Sequence, residues 1–165
     1  MRLLLLAGTA MLTSCGDELS PQQRAREDAM AVAMVEKANR GSAMPIMPEP
    51  ILYPDIEKYE IFGTSCAFAP EGGGLAAVAI AMREDGFMKI DGDMLRFSAD
   101  SGSKALPYDL RSQYDGRKYT FELKLEDGPG RPTAAESVNY DGHLTVRDEL
   151  ERVVYDKAGI VQCGS

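Results

Sequence analysis

The stretch Lys118-Tyr119-Thr120-Phe121-Glu122-Leu123-Lys124-Leu125 alternates polar and apolar side chains without a break. All four apolar residues fall on one face, as in a half-buried strand. Leu95 and Phe97 flank Arg96, Leu144 and Val146 flank Thr145, and Met88 and Ile90 flank Lys89. Tyr59, Ile61, Leu110, Val153, Tyr155 and Val161 sit in similar runs. Residues 55–165 therefore read as mainly β. From Leu75 to Met82 every residue is apolar, with Val78, Ile80 and Met82 on one face and Ala77, Ala79 and Ala81 on the other. Such a strand is covered on both sides, with an N-terminal helix as a candidate cover. Asp-Gly recurs at 85–86, 91–92, 115–116, 127–128 and 141–142, and Asp-Gly between alternating runs signals a hairpin. The pattern predicts seven or eight short strands in an antiparallel meander, closed into a small barrel or packed as a sandwich. Glu126 to Ser137, with Pro129, Gly130 and Pro132, reads as the longest exposed loop. Asp148 to Arg152 reads as a helical turn or a strand start.

With 165 residues the chain suits one domain. At 27% charged and 44% hydrophobic residues, it is neither a multispanning membrane protein nor a disordered chain. A net charge of −8 argues against a nucleic-acid partner, which demands a basic face. Ser20-Pro21-Gln22-Gln23 has the form of a helix start with a capping box. The helix formers run to Arg40, and Gly41 is a natural stop. Ala25, Ala29, Val32 and Ala33 share a face with Met30 and Met34 beside it, a weak amphipathic stripe. This helix is expected to pack loosely on the domain or project from a membrane, with binding of a partner as the alternative. Pro45, Pro48, Pro50 and Pro54 follow within Ser42–Pro54. They fit either a semi-rigid spacer or a loop laid along the domain surface. Residues 15–54 thus read as anchor, helix and linker, and 55–165 as the β domain.

Met1-Arg2 is followed by an apolar run from Leu3 to Leu12, too short to span a bilayer. A charged start, apolar middle and small residues mark residues 1–14 as a signal peptide. Leu12-Thr13-Ser14-Cys15 resembles the lipobox of bacterial lipoproteins. The resemblance implies that Cys15 is diacylated on sulfur, that the signal is removed, and that the new amino group is acylated. Palmitate-length chains anchor firmly, since each buried CH₂ contributes about 0.8 kcal/mol. The implied setting is the bacterial cell envelope, facing the periplasm, with the membrane as a partner through the lipid. Gly16, not an aspartate, follows the cysteine, and Asp17 comes one place later. The resemblance thereby points to the outer rather than the inner membrane. Loss of Arg2 gives a mature charge of −8 − 1 = −9.

Lipidation of Cys15 leaves Cys66 and Cys163 as an even pair in an oxidising compartment, which predicts a disulfide. A two-cysteine metal site lacks further ligands, the single histidine being His143. His143 follows Asp141-Gly142 and reads as a surface turn residue. No Gly-x-Ser-x-Gly elbow is present to make a catalytic triad with it. Asp91-Gly92-Asp93 opens like a calcium loop, but the twelfth position is Gly102 where a glutamate is needed. Glu84-Asp85 reads as solvated turn acids, and Gly72-Gly73-Gly74 as a flexible loop. The expectation is no catalytic residue, no metal, no cofactor, and a non-enzymatic role.

Tyr108, Tyr114, Tyr119, Tyr140 and Tyr155 supply aromatic anchors of the kind interfaces favour, and Ser98–Ala105 forms a small polar loop. The stretch Ser112-Gln113-Tyr114-Asp115-Gly116-Arg117-Lys118-Tyr119 resembles the serine-glycine-tyrosine region of membrane-bound inhibitors of c-type lysozyme, with Gln113 in place of the glycine. That family implies a small β-barrel with a disulfide and a basic lysozyme as partner. From Asp55 onward, 20 acids against 13 bases give −7, which suits such a partner. The reading is a lipid-anchored envelope protein whose β domain binds a partner or ligand. Its rivals are a structural or envelope-assembly lipoprotein, a lysozyme-inhibitor-like protein and a hydrolase.

Overall fold

The computed structural model describes residues 20–39, 41–74 and 76–165. The expected signal peptide at 1–14 and the expected lipidation site Cys15 lie outside the described residues. The chain divides into two compact units at Gly41.

In the first unit, helix α1 spans Pro21–Asn39. The Ser20 N–H donates to Gln23 Oε1 at 2.9 Å, and the Gln23 N–H to Ser20 Oγ at 3.3 Å. This is the reciprocal capping box read from the sequence. Gly41 has φ +64°, and its N–H bonds the Ala38 carbonyl at 3.4 Å, closing the C-terminus. The side chains from Pro21 to Ala38 are exposed, as the weak apolar stripe implies.

The second unit is Ser42–Ser165. Its elements are β1 (Pro48–Glu49), α2 (Tyr53–Lys58), β2 (Ser65–Pro70), β3 (Ala79–Ala81), β4 (Asp85–Ile90), β5 (Asp93–Ala99), β6 (Gln113–Asp115), β7 (Tyr119–Leu125), β8 (Arg131–Ala134), β9 (Ser137–Asp148) and β10 (Val153–Gly164). Eight strands run in the order β4-β3-β2-β10-β9-β7-β6-β5, and β5 pairs back onto β4. All pairings are antiparallel. Closure makes this a barrel and not a sandwich, and it removes the open edges that invite aggregation. Two strands lie outside the ring: β1 pairs β4, and β8 pairs β9.

Period-two patterning sets the inside of the barrel. On β7, Tyr119, Phe121 and Leu123 are buried while Glu122 and Lys124 face solvent. Phe121 stacks on Tyr114 at 4.8 Å between centroids and meets Phe97 edge-on at 5.0 Å. The Tyr114 hydroxyl donates to the Met82 carbonyl at 2.6 Å and accepts the Arg111 N–H at 3.2 Å, so its one polar atom is satisfied. Cys66 on β2 lies directly opposite Cys163 on β10, and the two form a fully buried disulfide with Cα atoms 4.0 Å apart.

Several local expectations change. β3 is covered on both sides as predicted, and within the second unit its outer cover comes from the chain just ahead of it. Its outward Ile80 packs with Ile51, Ile61 and the β4 residue Phe87 in a second cluster, with Ile56 and Ala67 against it. The cover is the segment around α2. The proline-rich stretch is laid along the barrel: the Ile46 N–H bonds the Val154 carbonyl at 3.0 Å, and the Ile51 N–H the Ala77 carbonyl at 2.7 Å. The compact unit thus begins at Ser42, ahead of the boundary expected at 55. Tyr59 and Ile61 sit in the turn after α2, and Leu110 precedes β6, so none of the three is in a strand.

The Asp-Gly pairs separate into two kinds. Asp91-Gly92 is a true two-residue hairpin with φ +54° and +83°. Asp115-Gly116 opens the β6–β7 turn, and Asp127-Gly128 lies in the β7–β8 connection. Gly86 and Gly142 are strand residues. A Cβ on Gly86 would stand 2.6 Å from Phe121, and one on Gly142 would stand 2.6 Å from Val161 Cγ2. These two glycines serve close packing. The stretch 126–137 is not a plain loop either, because β8 forms within it. Asp148 to Arg152 is a β-turn, with Glu151 at φ +59° and Asp148 paired to Arg152 at 2.6 Å.

Candidate ligand groove

On β2 and β10 the inward positions hold Cys66, Phe68, Val161 and Cys163, and on β9 they hold Gly142, Leu144 and Val146. Alternation therefore sends Ala67, Ala69, Ala158, Ile160, Gln162 and Asn139 outward. These side chains line a groove of about 800 Å³ on the barrel's outer face. The figure falls within the roughly 300–1,000 Å³ of ligand-sized sites. The floor is shallow because Ala67, Ala69 and Ala158 carry only methyl groups. One wall is the turn after β2, containing Glu71, Gly72, Gly74 and Ala77. Gly72 and Gly74 adopt φ +75° and +87°, which the glycines alone accept without strain. The Glu71 N–H bonds the Ala158 carbonyl at 3.0 Å, which ties that wall to β10. The opposite wall is β9, braced by β8. Arg131 grips Asp141 through its two terminal guanidinium nitrogens, each at 2.7 Å, and Gln162 Nε2 donates to Thr133 Oγ1 at 3.4 Å.

Among the described residues, Glu71, Glu126 and Asp141 line the groove with carboxylates and no lysine, arginine or histidine does. The Arg131 guanidinium holds the Asp141 carboxyl below the usual carboxylate range through its hydrogen bonds. Among the described residues, Glu71 and Glu126 have no side-chain partner. Asn139 Oδ1 is shielded from solvent and has no donor among the described residues. The Cys66–Cys163 bond joins β2 to β10 on the inner face, directly beneath the floor residues Ala67 and Gln162.

The other residues singled out from the sequence do not gather in this groove. His143 lies in the middle of β9, not in a turn, and faces outward. Its Nε2 is 2.7 Å from Asp156 Oδ1, and the Thr145 hydroxyl donates to the same oxygen at 2.9 Å. Thr145, ahead of His143, holds the Asp156 carboxyl below its ordinary range. Because Thr145 bonds the carboxylate and not the ring, it is not placed as a nucleophile for His143. Asp85 pairs with Arg96 through two bonds of 2.8 and 2.7 Å. Asp91-Gly92 is occupied as a hairpin, its Gly92 N–H donating to Glu49 Oε1 at 2.6 Å. Among the described residues no three His, Cys, Asp or Glu side chains come together to hold a metal ion.

The tyrosines do not share a surface. Tyr114 and Tyr119 are core, Tyr140 and Tyr155 are half-buried against it, and Tyr108 is exposed. In the stretch from Ser112 to Tyr119, Ser112 and Tyr114 are buried, while Arg117 and Lys118 are exposed in the turn. The Ser98–Ala105 loop is braced by Asp100, whose Oδ1 accepts the Gly102 N–H at 2.8 Å. Sequence reasoning did not find the groove. Alanines at alternate strand positions carry no signature that separates an open outer face from a packed one, and the glycine run at 72–74 was its one visible trace.

Fold and groove together define a closed antiparallel barrel, stapled by one buried disulfide and carrying an acidic, apolar-floored groove on its outer face. Comparison with protein-family models, with curated proteins and with solved structures finds no match to this chain.

Proposed function

We propose that this chain is a lipid-anchored protein of the bacterial cell envelope, facing the periplasm, whose barrel binds a partner or ligand and performs no catalysis. The observation that carries the binding role is the groove over β2, β10 and β9. Its floor keeps apolar side chains open to solvent, with Ile160 at 37% exposure, whereas the neighbouring outer face around Ile80 is covered by the chain itself. An apolar, concave and largely preformed surface is the usual form of a ligand site. The anchor rests on Leu12-Thr13-Ser14-Cys15, and the lipid chains supply the membrane attachment. No described helix is long and apolar enough to cross a membrane.

Two measurements test the proposal. Cys15→Ser removes the acyl-accepting sulfur and is expected to yield an unprocessed or soluble form. A Cys15→Ser protein that is processed normally and stays in salt-washed membranes overturns the anchor. A photo-crosslinker placed at position 160 in cells is expected to give a discrete adduct that Ala158→Phe abolishes. Equal adducts from the exposed position 153, outside the groove, overturn the binding role of the groove.

A further inference from the structure

We infer that the groove is built for an extended, cationic peptide segment of a partner protein, with lysine or arginine side chains alternating with small apolar ones. This inference rests on the groove being the binding site, and it names the chemistry of the occupant.

Charge decides the sign of the occupant. Among the described residues the lining holds Glu71, Glu126 and Asp141 and no cationic side chain. Asp141 is already neutralised by Arg131 from β8. Glu71 and Glu126 remain without partners among the described residues, so the rim carries two uncompensated negative charges. The chain's net charge of −8 adds a background field of the same sign. A cationic ligand is attracted and an anionic one repelled. The uncommitted polar groups agree, because both carboxylates can only accept hydrogen bonds. The occupant must bring donors. Ammonium, guanidinium and backbone N–H groups do so.

Shape decides the rest. Methyl groups at Ala67, Ala69 and Ala158 let a backbone approach the strands closely. They offer no deep pocket for a large aromatic side chain. The groove follows the strands β2 and β10, with Ala69 opposite Ile160 and Ala67 opposite Gln162 in register. An extended chain lying along it presents side chains at a period of two. Small apolar residues would meet the alanine floor while the alternate cations reach the acidic rim. At about 800 Å³ the space exceeds what one amine needs.

The test uses the full chain and isothermal titration with acetylated, amidated pentapeptides. One alternates alanine with lysine, and a second replaces each lysine by glutamine. The lysine peptide is expected to bind at low salt, with the glutamine peptide at least about tenfold weaker. Binding should fall sharply at about 1 M salt, where the Debye length is about 3 Å. Glu71→Gln and Glu126→Gln should each weaken binding about two- to fivefold, the range of exposed charge pairs. Ala158→Phe fills the groove from an exposed position, and Ile160→Lys places a competing ammonium in it. Both should abolish binding with the β-type far-UV spectrum retained, and either variant serves if the other misfolds. Equal binding of the glutamine peptide, still lost in Ala158→Phe, overturns the cation inference and leaves the groove as a binding site. Lysine-peptide binding that survives both groove-filling variants shows that cations bind elsewhere and overturns it. Spermidine binding blocked by Ala158→Phe, without peptide binding, overturns the peptide as the occupant. Absence of binding by the lysine peptide at low salt also overturns it.

Discussion

Opening the Cys66–Cys163 bond tests how the barrel is held closed. The bond joins residues 97 apart in sequence, so it forbids the denatured chain most of its long-range freedom. For a closed loop of about 100 residues the chain-entropy model gives about 4.7 kcal/mol at 25 °C, within the 2–5 kcal/mol typical of native disulfides. The compact unit has 165 − 42 + 1 = 124 residues. At about 0.05–0.15 kcal/mol per residue its stability is roughly 6–19 kcal/mol, so the bond supplies a quarter or more of it. Two perturbations separate the causes. Reduction leaves both thiols filling their fully buried positions and removes only the link. The double substitution Cys66→Ala with Cys163→Ala removes the link and also two buried sulfur atoms, which adds a cavity cost. Urea unfolding of the oxidised, reduced and doubly substituted protein is the assay. We expect the reduced form to lose about 3–5 kcal/mol and the double variant somewhat more. The slope m should rise in both, because a chain freed of its cross-link exposes more surface on unfolding. A loss on reduction below about 1 kcal/mol with an unchanged slope would refute the reasoning. Strand pairing between β2 and β10 would then fix the chain ends by itself.

Three further outcomes follow from individual contacts. Gly142→Ala drives a Cβ to 2.6 Å from Val161 Cγ2 and 2.7 Å from the Lys124 carbonyl, so it should cost about 1–3 kcal/mol by overpacking. Gly92→Ala meets open space but keeps φ +83°, so it should cost about 1 kcal/mol or less; the reverse order in thermal melts would contradict the packing role of Gly142. Tyr114→Phe strips the donor from the Met82 carbonyl and the acceptor from the Arg111 N–H, for a loss of about 1–3 kcal/mol in urea titration. Asp55 (bonded by the Leu52 N–H and Lys89), Asp148 (by Arg152) and Asp156 (by Thr145 and His143) all have carboxyl pKa values lowered by folding. A lowered folded value contributes stability above the unfolded pKa, about 3.9, that is lost as pH falls through the folded pKa. These three groups should hold the urea midpoint level from about pH 7 to 5 and let it drop below about pH 4; a midpoint that rises on acidification from pH 5 to 3 would run against that sign.

The mainly β fold was legible because burial in a closed barrel acts on every second residue. The rule that sends Tyr119, Phe121 and Leu123 inward is visible in the chain without knowing which strand pairs with which. Capping of α1 was legible for a similar reason, since Ser20 and Gln23 satisfy each other within one turn. The misreadings share the opposite cause. Asp141-Gly142 and Asp91-Gly92 are identical dipeptides, yet one lies beneath Val161 and the other turns a hairpin. What separates them is a neighbour on another strand. The prolines of 45–54 left spacer and surface loop equally open, because the docking of Ile51 against Ile80 and Phe87 is a long-range contact.

The candidate site follows from that same contact. Single apolar residues on an outer barrel wall are ordinary, but a contiguous apolar strip left open there marks an interaction surface. On β3 and β4 the outward Ile80 and Phe87 are covered by Ile51 and Ile61. One and two strands further round, on β2 and β10, the outward Ala69 and Ile160 continue the apolar face after the cover has ended. Glu71, Gly72 and Gly74 after β2 and Asn139 and Asp141 on β9 complete the lining of this uncovered part. The barrel thus leaves open a strip whose chemistry matches the part it covers. That strip is lined by Glu71 and Glu126, whose carboxylates have no partner among the described residues, and for these reasons the proposed binding role is placed there and not at the tyrosines.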